Sequence, residues 1–134
     1  MTFNYDDLTP EHFSASINWI TKMSDPSKWD LTNEEASLLL GMNVGEYAET
    51  LKMACEGIPF SLRIESAERM SLLLQIWKKL NSLGFDEQTA ISVFNKPNSS
   101  KLFKGKSIKL FLLESNSLTV FYAVNLYLQS VSEI

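Results

Sequence analysis

Little in this chain offers covalent or acid–base chemistry. Cys55 is its one cysteine, so no internal disulfide can form. That usage fits a reducing compartment, and the cytoplasm is the expected location. His12 is the one histidine, with no cysteine at ligand spacing, and reads as a structural residue at or near the surface. Cys55 reads as a small hydrophobe near a helix end. The acid pairs Asp6-Asp7 and Glu34-Glu35 are sequence neighbours. Neighbours do not face each other on a helix, so both pairs suit helix starts better than a catalytic dyad. Glycine is scarce, at 41, 45, 57, 84 and 105. Gly105-Lys106-Ser107 imitates the tail of a phosphate-binding loop, but Ser100 stands where the first glycine is required. No apolar run approaches the roughly 18 residues of a membrane span. Residues 1–10 hold Asp6 and Asp7 and no base, which is unlike a signal peptide. These absences exclude the common enzyme, metal-site and membrane classes. The expectation is a protein with no catalytic residues, cofactor, metal or small-molecule substrate.

What is present is apolar and unevenly charged. Hydrophobic residues make up 45% and charged residues 21% of 134, the balance of a folded domain rather than a disordered segment. The size suits one compact unit or two small subdomains sharing a core. The net charge of −4 hides an asymmetry. Residues 1–57 hold ten acids against three lysines, a balance of −7, and residues 58–134 hold six acids against nine bases, a balance of +3. Between Lys96 and Lys109 lie five lysines and no acid. The front half repels polyanions, and the back half carries a basic loop.

The spacing of apolar residues predicts an all-α, compact helical protein. Thr9-Pro10-Glu11 opens a first helix carrying Phe13, Ile17 and Ile20, which Asp25-Pro26-Ser27 breaks. Thr32 and Glu35 form a capping box for a short second helix reaching Leu40. Gly41 suits a left-handed turn, and Asn43 caps a third helix from Val44 to about Ala54. Two short helices meeting at a tight glycine turn are the outline of a helix-turn-helix. Ser66 to Arg69 opens the strongest helix, with Met70, Leu73, Leu74, Trp77 and Leu80 as its stripe and Gly84 as its stop. Asp86 caps a helix through Phe94, Ser107 one through Leu113, and Asn116 or Ser117 the last, to about Val131. Thr119 to Val124 has strand propensity. However, the segment lacks two-residue alternation, and Phe121, Val124, Leu128 and Val131 share a helical face.

The domains expected are an N-terminal helix and linker (1–30), a helix-turn-helix domain (31–84) and a small helical C-terminal domain (85–134). A helix-turn-helix would meet DNA through Asn43, Tyr47, Thr50 and Lys52. Its third helix, however, sets Glu46 and Glu49 against the single Lys52, poor chemistry for phosphate contact. In the lysine loop, Phe94, Leu102 and Phe103 interleave with Lys96, Lys101, Lys104, Lys106 and Lys109. Apolar residues among lysines suit a docking surface.

In order and spacing these pieces resemble the Xre/MbcA/ParS antitoxins, partners of RES-domain toxins. The likeness runs from Leu31 to Val131. Leu31-Thr32, Leu39-Leu40-Gly41 and Tyr47 match the Xre-like helix-turn-helix, and Glu68-Arg69 through Trp77 and Leu80 match the central helix. The family's Trp-Leu-x-x-Pro-Asn reads here Val93-Phe94-Asn95-Lys96-Pro97-Asn98, and its Gly-x-Ser-Pro reads Gly105-Lys106-Ser107-Ile108. The resemblance implies a cytoplasmic homodimeric antitoxin that binds a RES-domain toxin and its own operator DNA. It puts toxin contacts at Phe94, Asn95, Pro97, Asn98, Lys101, Phe103, Gly105 and Lys106. Departures are local: Glu49 and Thr50 replace an arginine and a tryptophan after the tyrosine, Phe94 replaces tryptophan, and Ile108 replaces proline. The alternatives are a helix-turn-helix regulator without a toxin, or an orphan interaction module that no longer binds DNA.

Overall fold

Capping chemistry sets most helix starts. A computed structural model describes residues 3–83 and 86–132. Among the described residues there are seven α-helices and no strand: α1 Pro10–Met23, α2 Asn33–Leu39, α3 Val44–Glu56, α4 Ile64–Ser82, α5 Glu87–Asn95, α6 Ile108–Ser115 and α7 Leu118–Ser132. The all-α expectation therefore holds. Thr9, Thr32 and Asn43 each accept a hydrogen bond from the third residue of their helix, and the side chains of His12, Glu35 and Glu46 accept one in turn from the cap residue's backbone N–H. Asp86 and Ser107 cap α5 and α6. These side chains satisfy amide groups that the first helical turn cannot pair internally. Gly84, expected as the stop of α4, lies outside the described residues.

By compactness the chain divides into 1–71 and 72–134, between Ser71 and Leu72 and inside α4. The sequence reading set boundaries after residues 30 and 84, in connections. The division instead cuts a continuous helix, and α1 belongs to the first unit with α2 and α3.

In the first unit, α3 packs against α1 and α2. Phe13, Ile17, Ile20, Met23, Trp29, Leu39, Leu40 and Tyr47 are buried there. Trp19 meets Trp29 edge to face, with ring centroids 5.5 Å apart. The Tyr5 hydroxyl donates to the carbonyl of Leu62, tying a one-turn 3-10 helix at Tyr5–Asp7 to the segment before α4. Neither of those two features was legible in the sequence.

In the second unit, α6 packs against α5 and α7. Phe121, Val124 and Leu128 of α7 are buried and Val131 is half-buried, so the helical reading of this segment is correct. Only Asn125 interrupts that inner face with a polar group. Its amide nitrogen donates to the carbonyls of Leu72 (3.3 Å) and Phe121 (3.0 Å), and its side-chain oxygen accepts from Lys79 Nζ at 3.1 Å. Partial burial pulls the Lys79 ammonium below the usual lysine range. The stripe of α4 differs from the expected one. Met70, Leu73 and Leu80 are buried, but Leu74 is 36% exposed, and Leu72 and Ile76 take core places instead.

Candidate functional site

The first candidate surface is the α2–turn–α3 pair. Gly41 sits at φ +69°, the left-handed conformation expected of it. Two arginines, Arg63 just before α4 and Arg69 in its second turn, lie beside this turn. Arg63 donates to the Gly41 carbonyl at 3.0 Å and lies 3.4 Å from the Glu46 carboxylate. Buried Arg69 lies 3.6 Å from Glu65. A Cβ on residue 41 would come within 3.0 Å of both Arg69 Nε and Glu65 Oε2. Arg69 of the Glu68-Arg69 pair, together with Glu65, thus lies against the turn.

Two of the four residues expected to meet DNA are core residues. Tyr47 is 1% exposed. Burial raises its phenol above the usual tyrosine range, partly offset by hydrogen bonds with Thr21 and Ser24. Thr50 is buried and donates to the Glu46 carbonyl at 2.8 Å. Helical periodicity turns both inward, because α3 must cover α1 and α2. Neither side chain is on a surface that a duplex could reach. Asn43 is exposed, but its side chain caps α3; Lys52 is exposed. The exposed side of α3 also carries Glu46, Glu49 and Glu56.

The second candidate is the connection between α5 and α6. Lys96 ends α5 in an extended conformation, and Pro97 pairs with Ser107 in an isolated antiparallel bridge. Asn98 N–H donates to the Lys106 carbonyl at 3.0 Å and closes the neck. The Asn98 side chain accepts from Ser100 N–H at 2.7 Å. A one-turn 3-10 helix follows at Lys101–Phe103, then Lys104 and Gly105, both left-handed. Phe103 points inward and is fully buried. Its ring meets Phe111 and Tyr127 edge to face, each at a centroid distance of 5.2 Å. The loop is therefore fixed at its neck by backbone hydrogen bonds and at its centre by an aromatic anchor.

This geometry sorts the eight residues expected to touch a toxin. Phe94 and Phe103 are fully buried, so neither side chain is presented at the surface, and the Phe103 ring is the one seen to anchor the loop. Asn95 and Asn98 are half-buried, and Pro97, Lys101 and Gly105 are exposed. Lys106 is half-buried and paired with Glu114 of α6. Lys96 and Lys104 are exposed beside Lys101, and these three lysines make no ion pair among the described residues. Phe111 and Tyr127 were missed. Both lie in continuous apolar runs, where sequence does not mark which aromatic ring will meet the loop.

Among the described residues, no group of three or more His, Cys, Asp or Glu side chains is placed to hold a metal ion. No helix there is long and apolar enough to cross a membrane. No family model, curated protein or solved structure matches this chain.

Proposed function

We propose that this protein works by binding another protein through the α5–α6 connection, and that it is an antitoxin whose partner is a RES-domain toxin. The observation that supports binding at this place is the presentation of Lys96, Lys101 and Lys104. They stand on a loop held at its neck by the Pro97–Ser107 bridge and at its centre by Phe103. A loop already ordered before contact loses less conformational entropy on association. Exposed lysines on it would steer an acidic partner and set the register of docking. The finer identity of the partner rests on the order of the family-like motifs from Leu31 to Ile108.

Operator binding has weaker support. The α2–turn–α3 outline favours a helix-turn-helix regulator as the competing reading. Against it stand the buried Tyr47 and Thr50 and the acids on the outer side of α3. Each phosphate contact needs a cation to release a condensed counterion, and Lys52 faces Glu46, Glu49 and Glu56 on one short helix.

The test is co-expression with the product of the neighbouring reading frame, followed by co-purification. A toxic product that is neutralised and retained supports the proposal. Lys101→Glu with Lys104→Glu is expected to weaken retention at least about tenfold at ~150 mM salt. A neighbour that is not a toxin, or one that stays lethal and unbound, overturns it. A mobility shift on the chain's own promoter at ~50 mM salt would favour the regulator instead.

A further inference from the structure

Among the described residues, three other than glycine hold a left-handed backbone: Asp30, Lys104 and Asn116. Aspartate and asparagine suit that region, because a short polar side chain can hydrogen-bond locally. Lysine has no such device, and its Cβ crowds the following carbonyl. Lys104 lies at φ +52° and ψ +38°, and Gly105 follows at φ +84°, so two successive left-handed residues form the tip of the α5–α6 loop. The tip is held on both sides. Lys104 N–H donates to the Lys101 carbonyl at 3.4 Å, and Lys106 N–H donates to the Phe103 carbonyl at 2.9 Å. Buried Phe103 fixes the chain before the tip, and the Pro97–Ser107 bridge fixes it after. Strained backbone persists only where its surroundings over-determine it, and these do. Nothing inside the fold uses the side chain: Lys104 is exposed, and its ammonium makes no hydrogen bond or ion pair among the described residues. A Cβ built on Gly105 meets no atom within 4 Å, so the tip borders open space.

Given that the α5–α6 connection docks a protein, the reading on which this rests, we infer that Lys104 is the loop's specificity-determining contact, its ammonium seated between carboxylates in an acidic recess of the partner. Glycine is the relaxed choice at position 104, as the chain itself shows at 105. A lysine there costs folding stability in the free chain, and only a contact outside the fold offsets it. Lys96 and Lys101 differ. They stand on relaxed backbone, Lys96 extended and Lys101 in the 3-10 turn. Exposed charges of that kind speed encounter and are screened by salt. Protein carboxylates fit this tip better than nucleic-acid phosphates. The loop's two rings, Phe94 and Phe103, are fully buried, so no base can stack on them.

The test uses the full chain and the purified product of the neighbouring reading frame. Lys104→Gly should raise the folding equilibrium constant about fivefold in a denaturant titration, because relief of the left-handed strain outweighs the added freedom of the unfolded chain. Lys101→Gly, on relaxed helical backbone, should lower it. Lys104→Gly should nevertheless weaken partner binding at least about tenfold, mostly through faster dissociation. Lys104→Asn, which also suits left-handed backbone, should bind as weakly. Lys96→Ala and Lys101→Ala should each weaken binding by less than about threefold, through slower association that high salt equalises. Full binding by both Lys104 variants overturns the inference and leaves the docking reading intact. A wild-type chain that retains no neighbour overturns the docking reading, and this inference with it. A Lys104→Gly chain no more stable than the wild type also overturns it, because the lysine would then cost the fold nothing. So does a ~20-base-pair DNA duplex that the wild type binds and both Lys104 variants release, which would put phosphates in place of the carboxylates.

Discussion

The two units face the same structural problem and solve it with different chemistry. Each must fix a connection that turns the chain through a left-handed glycine: Gly41 in the first, Gly105 in the second. In the first, charged groups close over the turn: Arg63 on the Gly41 carbonyl, and Glu65 and Arg69 against the glycine itself. In the second nothing lies within 4 Å of a Cβ built on Gly105, and the loop is held by the Phe103 ring among Phe111 and Tyr127. Functional character follows. Where charges are used internally, the outer side of α3 is left mostly acidic. Where an aromatic ring holds the loop, the lysines are left to face outward. Residues 1–71 hold twelve acids and five bases, and residues 72–134 hold four acids and seven bases.

Removing the aromatic anchor gives the sharpest break in that comparison. Phe103→Ala is expected to destabilise the second unit by about 3–5 kcal/mol, the usual cost of emptying a fully buried phenylalanine site. A denaturant titration read by fluorescence and circular dichroism measures it. The same variant should weaken partner retention although no lysine has changed. If stability falls but retention does not, a pre-ordered loop is not what the partner uses.

The glycines allow a closer test. Gly105→Ala should cost about 1 kcal/mol, the penalty of a left-handed L-residue in open space. Gly41→Ala carries that penalty and also drives a methyl to 3.0 Å from Arg69 Nε and Glu65 Oε2. It should cost about 2–3 kcal/mol in the same titration. Equal losses would show that the Arg–Glu clasp yields freely and does not hold the turn.

Legibility in the sequence tracked how local the physics was. Thr9, Thr32, Asn43, Asp86 and Ser107 were readable as caps because a cap acts on amides two or three residues away. Gly41 was readable because a turn between two helices needs left-handed backbone. The final helix was recoverable from Phe121, Val124 and Leu128 despite strand-forming neighbours, because periodicity outweighs propensity over fifteen residues. The candidate sites depended on longer-range facts. Tyr47 and Phe103 are conspicuous in sequence as aromatics near polar residues, which suits a contact residue and a buried anchor equally. Only the packing of α3 on α1, and of Phe103 on Phe111 and Tyr127, separates the two roles. Leu74 and Ile76 exchanged places for a similar reason: an apolar stripe on α4 is wide enough for more than one rotation about the helix axis.

A smaller effect tests the charge contrast at the surface. Lys101→Glu and Lys104→Glu should each move stability by no more than about 0.5 kcal/mol, as neither side chain is packed. Their consequence should lie in association, with a strong salt dependence. A stability loss above that range would mean that these lysines hold the loop together, and the division between a structural ring and outward-facing charges would fail.

Acid pH offers the last and mildest comparison. Backbone and side-chain hydrogen bonds from Thr89 hold the Asp86 carboxyl below its ordinary range, and bonds from Ser27 do the same for Asp25. A backbone hydrogen bond and the Thr9 side chain lower Glu11. A carboxyl depressed in the folded state lends stability that is complete above its unfolded pKa and disappears as pH falls through the folded value. Two of these groups flank α1 in the first unit, and one starts α5 in the second. Acid below the ordinary carboxylate range should therefore loosen the start of α1 and the α1–α2 connection, and on the other side of the chain only the start of α5. Amide exchange followed down through that range reads each site separately. Asp86→Asn should flatten the response of α5 while keeping its cap, because asparagine accepts the Thr89 bond without titrating. If α5 still opens with acid in that variant, its pH sensitivity does not come from the Asp86 cap.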